Sequence, residues 1–147
     1  SGGTAIMGYY EGDEYFSPGE QPLFYYEDSQ IITWNGTTFI VQEGSGQDPV
    51  ELVTWFGAKV FADFHSMRLP TKKEYRKTAL SINYGENHYG ARFDEWVSDI
   101  IYLEDEDGWL CTIQPYTNSD ENFGCDESNT WWLTYGHHEV SFRLVSN

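Results

Sequence analysis

Apolar residues recur at helical spacing after Asp48: Val50, Val53, Val60, Phe61 and Phe64 form one stripe. Asp48 is placed to cap that helix, Pro49 to open it, and Glu51 to bond back to the cap. His65-Ser66 ends it, and Pro70 bars continuation by disfavouring helical geometry at Leu69. Thr71 starts a second helix with Glu74 in the capping-box position. The pattern predicts helices over 49–65 and 71–81.

Before Asp48 the chain reads as β. Ala5–Tyr10 is a short first strand, and Glu11–Gln21 is turn-like, with Gly12, Pro18 and Gly19. Leu23–Tyr26 is apolar and aromatic. Gln30–Trp34 and Thr37–Gln42 flank Asn35-Gly36, a strong signal for a two-residue hairpin turn. Beyond the helices, 81–92 is polar and loop-like. Trp96–Leu103 and Trp109–Ile113 read as strands joined across an Asp- and Gly-rich turn at 104–108. Gln114–Asn129 is a long irregular stretch, and Thr130–Tyr135 with Glu139–Val145 reads as a last hairpin around Gly136-His137-His138. Loops of that length in a compact domain are functional or disordered. Tyr116, Phe123 and Cys125 favour an ordered one.

Three islands in this chain carry a family resemblance. Pro49, Val50, Val53, Trp55, Ala58 and Phe61, followed by Arg68, Leu69, Pro70, Thr71, Glu74 and Tyr75, resemble the helix pair of the C-type lectin fold in its formylglycine-generating-enzyme (sulfatase-modifying-factor) subtype. Glu95-Trp96-Val97-Ser98-Asp99 is similar to the family's Glu-Trp-(Thr/Ser)-Ser-Asp. Val140-Ser141-Phe142-Arg143-Leu144-Val145 resembles its terminal Gly-Phe-Arg-Leu-Val strand, with Ser141 in place of the usual Gly. The resemblance implies an α+β C-type lectin fold, with two helices packed on small antiparallel sheets and long C-terminal loops.

Length and charge narrow the class. A chain of 147 residues reads as a single domain, 1–147, with no internal repeat. Ser1-Gly2-Gly3 is compatible with an added start in place of the native one. The 24 acidic and 8 basic residues give a net charge of −16, which argues against nucleic acid as a partner and against anionic membrane surfaces. No apolar run is long enough for a membrane span, so no membrane insertion is expected. An 18% aromatic content separates the chain from acidic disordered tracts. Cys111 and Cys125 are compatible with one disulfide or with two separate buried thiols.

Candidate chemistry is thin. In the resembled oxidase family, catalysis uses two cysteines a few residues apart after a Gly-Gly-Ser-(aromatic) segment. Here Cys111 and Cys125 lie fourteen apart and that segment is missing, so no enzyme activity is expected. Calcium-dependent lectins use a Glu-Pro-Asn or Gln-Pro-Asp loop and a Trp-Asn-Asp strand. Gln114-Pro115-Tyr116 puts Tyr at the ligand position, and Trp132 is followed by Leu133-Thr134. No cofactor is expected, although Asp105, Asp107, Asp120 and Asp126 leave room for a structural calcium. His137 and His138, read as neighbours on a strand, point to opposite faces and form no metal set.

Residues 83–89 and 101–138 are rich in Tyr, Asn, Ser, Asp, Gly, Thr and His, a composition like that of antibody paratopes. The region 101–138 also resembles the diversified face of variable proteins of diversity-generating retroelements. In those systems, mutagenised adenines turn Asn-type codons into Tyr, Ser, Asp, His, Phe, Ile, Thr or Gly. Such residues form islands at Ile101-Tyr102, 116–123, 126–128, Tyr135 and His137-His138, between scaffold blocks. The expected ligand-binding residues are Tyr102, Tyr116, Phe123, Trp132 and Tyr135 as anchors. Asn118, Asp120, Asn122, Asp126, Ser128, His137 and His138 are the polar contacts. The resemblance implies a monomeric, non-catalytic recognition protein for a protein or cell-surface ligand, on a virion or cell surface. The competing expectations are a catalytically dead oxidase relative serving as a structural module, and an enzyme of unknown reaction.

Overall fold

The computed structural model describes residues 4–79, 94–101, 109–113, 130–134, 136–138 and 140–147. It opens with β1 (Ile6–Tyr10) and β2 (Gly19–Phe24), an antiparallel pair with Tyr10 opposite Gly19. Residues Gly19–Gln21, expected in a turn, are therefore strand. Their cross-strand partners outweigh a weak local propensity. The connection is closed by Asp13, whose Oδ1 accepts from the Tyr15 and Phe16 amides while Oδ2 accepts from the Tyr10 hydroxyl.

A single 3-10 turn at Tyr26–Asp28 leads into the hairpin of β3 (Ile32–Trp34) and β4 (Phe39–Val41). The hairpin forms where expected, but its turn is shifted by one residue. Trp34 faces Phe39, and Asn35 N donates to Thr38 O, so Gly36-Thr37 is the central pair. Asn35 Oδ1 accepts from the amides of Thr37 and Thr38, and Gly36 takes φ +94°, a conformation that favours glycine.

The first helix, α1, spans Trp55–Phe64 and does not begin at Pro49. Leu52 takes φ +59°, which breaks a right-handed helix there. Thr54 is the cap: its Oγ1 accepts from Gly57 N at 3.0 Å and donates to Pro22 O at 2.6 Å. The expected stripe is buried only in part: Val53 joins the core and Val50 and Val60 pack against it. Trp55, Phe56, Ala58 and Ala62 face the core, whereas Phe61 is 48% and Phe64 84% exposed. The two alanines on the buried face let the helix lie close to its neighbours.

After α1 come β5 (Met67–Arg68) and α2 (Lys72–Ala79). The expected capping box is present, with Glu74 N donating to Thr71 Oγ1 at 3.2 Å and Thr71 N to Glu74 Oε2 at 2.8 Å. The C-terminal half supplies β6 (Asp94–Ile101), β7 (Trp109–Ile113), β8 (Thr130–Trp132), β9 (Val140–Phe142) and β10 (Val145–Ser146). Four of these form a sheet in the order β8-β7-β6-β9, and β10 pairs with β5. The expected hairpin of 130–135 with 139–145 does not form. β8 lies against β7, while β9 runs parallel to β6 on the far side, so the intervening residues cross the sheet.

Among the described residues this is an α+β arrangement of two helices with small, mainly antiparallel sheets. One buried cluster draws on both halves: Tyr10, Val53, Trp55, Phe56, Ala58, Leu69, Trp96, Leu133 and Val140. No described helix is long and apolar enough to cross a membrane.

Candidate functional site

Two chain segments singled out by their composition start and end on the four-stranded sheet. The chain leaves β6 at Ile101 and enters β7 at Trp109, which face each other at one end. It leaves β7 at Ile113, opposite Glu95, and enters β8 at Thr130, at the other end. The described residues that bracket 102–108 and those that bracket 114–129 therefore lie towards opposite ends of the sheet. Tyr102, Tyr116, Asn118, Asp120, Asn122, Phe123, Asp126, Ser128 and Tyr135 lie outside the described residues, as do Cys125 and the aspartates considered for calcium. Trp132 is described through its backbone, in β8 opposite Trp109.

His137 and His138 are placed, and both serve the crossing from β8 to β9. Trp55 N donates to Leu133 O at 3.1 Å, Tyr25 Oη to Thr134 O at 2.9 Å, and Leu52 N to His137 O at 3.0 Å. His138 Nδ1 lies 2.8 Å from Glu51 Oε2. Glu51 is buried, and its Oε1 also accepts from Gln30 N at 2.5 Å and Ser29 Oγ at 3.3 Å. The residue expected in a helix cap thus ties the turn before β3 to the crossing. These histidines do not sit on a strand, so strand alternation does not separate them: their ring centroids are 6.5 Å apart.

A second feature had no forecast. An apolar cavity of about 290 Å³ opens beside α1, lined by Leu23, Phe24, Ile32, Val50, Val53, Gly57, Phe61 and Phe142. Among the described residues no lining side chain is titratable, and the hollow suits burial of apolar groups. Among the described residues no group of three or more His, Cys, Asp or Glu could hold a metal ion.

Residues 8–139 match the family profile of the sulfatase-modifying factor enzyme 1-like domain. The chain belongs to that family. No curated protein and no solved structure matches it.

The residues on which the sequence resemblance rests hold the frame together. Arg68 forks onto Glu74, with both contacts at 2.7 Å, and this pairing with the Thr71 amide bond holds the Glu74 carboxyl down at about 2. Asp99 Oδ2 accepts from Lys72 N at 2.6 Å and so caps α2 from β6. Glu95 is buried; burial pushes its carboxyl up, while bonds from Tyr75 and Arg143 pull it back. Arg143 Nε donates to Glu95 Oε1 at 2.5 Å, which joins the segment after β9 to β6.

The cavity escaped sequence reading because its walls come from β2, β3, α1, β9 and the segment before α1. One local signal marked the hairpin beside the cavity, though not the cavity itself. Phe39-Ile40-Val41 is an unbroken apolar run on a strand, where alternation would make every second residue polar if one face met water.

Proposed function

We propose that this protein is a non-catalytic recognition module of the sulfatase-modifying factor family, built as a single C-type lectin-like domain. Its ligand surface is carried by 101–138, and it works as a variable protein of a diversity-generating retroelement. One observation supports the reading: the Tyr-, Asn-, Ser- and Asp-rich stretches fall in sequence between strands of a sheet whose neighbouring residues Asp99, Glu95 and Arg143 are occupied in holding the frame. Rigid scaffolds bearing replaceable loops are a common arrangement for binding sites. Tyr side chains supply contact area at low entropic cost, and Asn, Ser and Asp adapt their hydrogen bonds.

In this reading the partner is a protein or cell-surface ligand, the setting a virion or cell surface, and the protein a monomer without a cofactor. Oxidase chemistry of the kind known for the family is not expected, because the closely spaced cysteine pair is missing from the sequence. The test is the DNA beside the gene. A near-identical copy of the 101–138 coding region, differing only at adenines, would establish the reading. A complete locus without such a copy would overturn it and leave a structural relative of the oxidase as the better account.

A further inference from the structure

Independently of the loops, we propose that β4 and the adjoining apolar cavity form a docking surface for an extended basic segment of another protein. That segment would pair with the β4 edge, set an apolar side chain into the cavity, and place Lys or Arg against the surrounding carboxylates.

Register defines the face. Ile32 faces Val41 and Trp34 faces Phe39, so these four side chains share one side of the hairpin. Phe39 is the hub: its ring centroid lies 4.8 Å from Trp34, 5.7 Å from Tyr26 and 6.2 Å from Phe24. Phe24 and Ile32 are walls of the 290 Å³ cavity, whose far wall is Phe61. The apolar surface therefore runs unbroken from Trp34 into the cavity. Trp34, Phe39, Ile40 and Val41 are each between 41% and 52% exposed, so both sides of β4 meet solvent. Exposed aromatic clusters of this kind mark interaction sites.

The backbone points the same way. Asn35 N donates to Thr38 O and Gln42 N to Ile31 O, and the alternation of antiparallel bonding then turns the N–H and C=O of Phe39 and Val41 away from β3. Among the described residues β4 has β3 as its one strand neighbour. Such an edge is a template for an added strand, with main-chain bonds giving affinity and side-chain pockets giving selectivity.

Charge chooses the occupant. The first 58 residues hold nine Asp or Glu and no Lys, Arg or His. Nearly all of the surface comes from this stretch. Glu27 shares a polar hollow with Tyr26, Thr33 and Trp34 on the hairpin, and Glu43 is exposed just beyond Val41. The first cation, Lys59, is paired with Asp63. A second copy would bring one acidic face against another, whereas a basic segment gains steering and selectivity from the same field.

The test uses the full chain and three synthetic peptides: one alternating Lys or Arg with Leu or Phe, one with the apolar residues changed to Ser, and one with the cations changed to Glu. Calorimetry reports binding, as does the part of the tryptophan fluorescence change that is lost in Trp34→Phe. The alternating peptide is expected to bind at least tenfold more tightly than either control, and more weakly as salt rises. Val41→Pro removes an outward-facing donor and leaves the β3 bonds intact; Phe61→Lys places a cation at the cavity rim on an exposed helix position. Each is expected to lose tenfold in affinity with an unchanged melting temperature. Equal binding of the Ser peptide, unaltered binding by both variants, or a solution dimer that protects Trp34 from quenching would each overturn the proposal. Should Val41→Pro unfold the hairpin, Phe61→Lys alone decides.

Discussion

Trp55 and Trp96 exchange hydrogen bonds across the core: the indole of Trp55 donates to Val97 O at 3.0 Å, and that of Trp96 to Val53 O at 2.8 Å. Each ring is buried and bonds to backbone beside the other tryptophan, so α1 and β6 are locked in position relative to each other. Replacing either with Phe keeps most of the packing and orphans a buried carbonyl. Each change is expected to cost about 1–3 kcal/mol in urea unfolding. The double variant should cost less than the sum, because the two bonds close one circuit. Strict additivity would show that they act separately.

Gly57 marks the closest approach of α1 to β2. A Cβ there would lie 2.1 Å from Leu23 O, a backbone atom that cannot swing aside. Gly57→Ala is therefore expected to destabilise, by about 1–3 kcal/mol or more, despite the better helix propensity of Ala. Thermal melts should show a clear drop. A rise in melting temperature would mean that α1 has room to move off the strand.

The Glu51–His138 contact separates frame from ligand surface. Glu51→Ala leaves Gln30 N without its acceptor and Ser29 Oγ without one partner, and is expected to cost about 1–3 kcal/mol. His138→Ala should lower the melting temperature by less, since its ring is partly exposed. If His138→Ala leaves stability untouched and changes only ligand binding, the residue belongs to the contact surface rather than to the crossing.

Acid should weaken the link between β5 and α2. Glu74 titrates at about 2 in the fold, below its ordinary 4.5, because Arg68 and the Thr71 amide favour the carboxylate. Its contribution is therefore complete above the unfolded value and is lost as pH falls from 4.5 towards 2. Asp13 has the same sign: burial raises it, but bonds from Tyr10 and the Phe16 and Tyr15 amides leave it lowered overall. Glu95 has the opposite sign, since burial raises it; its contribution is present below the unfolded value and is lost as pH rises through the folded one. Melting temperatures measured from pH 6 to pH 3 should fall less steeply in Glu74→Gln than in the parent chain. Parallel curves would assign the acid sensitivity elsewhere.

What the sequence made legible was local. The Thr71–Glu74 box, the position of the Asn35-Gly36 hairpin and the strand at Trp109–Ile113 depend on residues a few positions apart, and all three are present. The start of α1 was misread because residues 51–53 are claimed by distant partners: Leu52 N by His137, Leu52 O by Tyr25, and Val53 by a bridge to Phe24. Those bonds outweigh the helix signal of Pro49. Likewise, nothing near Val140 announces that it will lie beside Asp94 rather than fold back on β8. The expected contact residues are mostly outside the described chain. Of the two placed through their side chains, His138 owes its position to Glu51, a partner no spacing rule connects to it.

The pairing of β10 with β5 joins two strands that leave the ribosome far apart in time. Val145 sits opposite Arg68 and Ser146 opposite Met67, while β9 seals the edge of β6. A nascent chain emerging from the ribosome would carry α1, α2 and β6 for much of its synthesis with these edges still open. Long-range closures of this kind are slow and leave strand edges unprotected in the meantime. β9 and β10 therefore close edges that β5 and β6 present earlier in the chain. Changes at Phe142 or Val145 should show themselves first as loss of soluble yield during expression, before any loss of affinity can be measured.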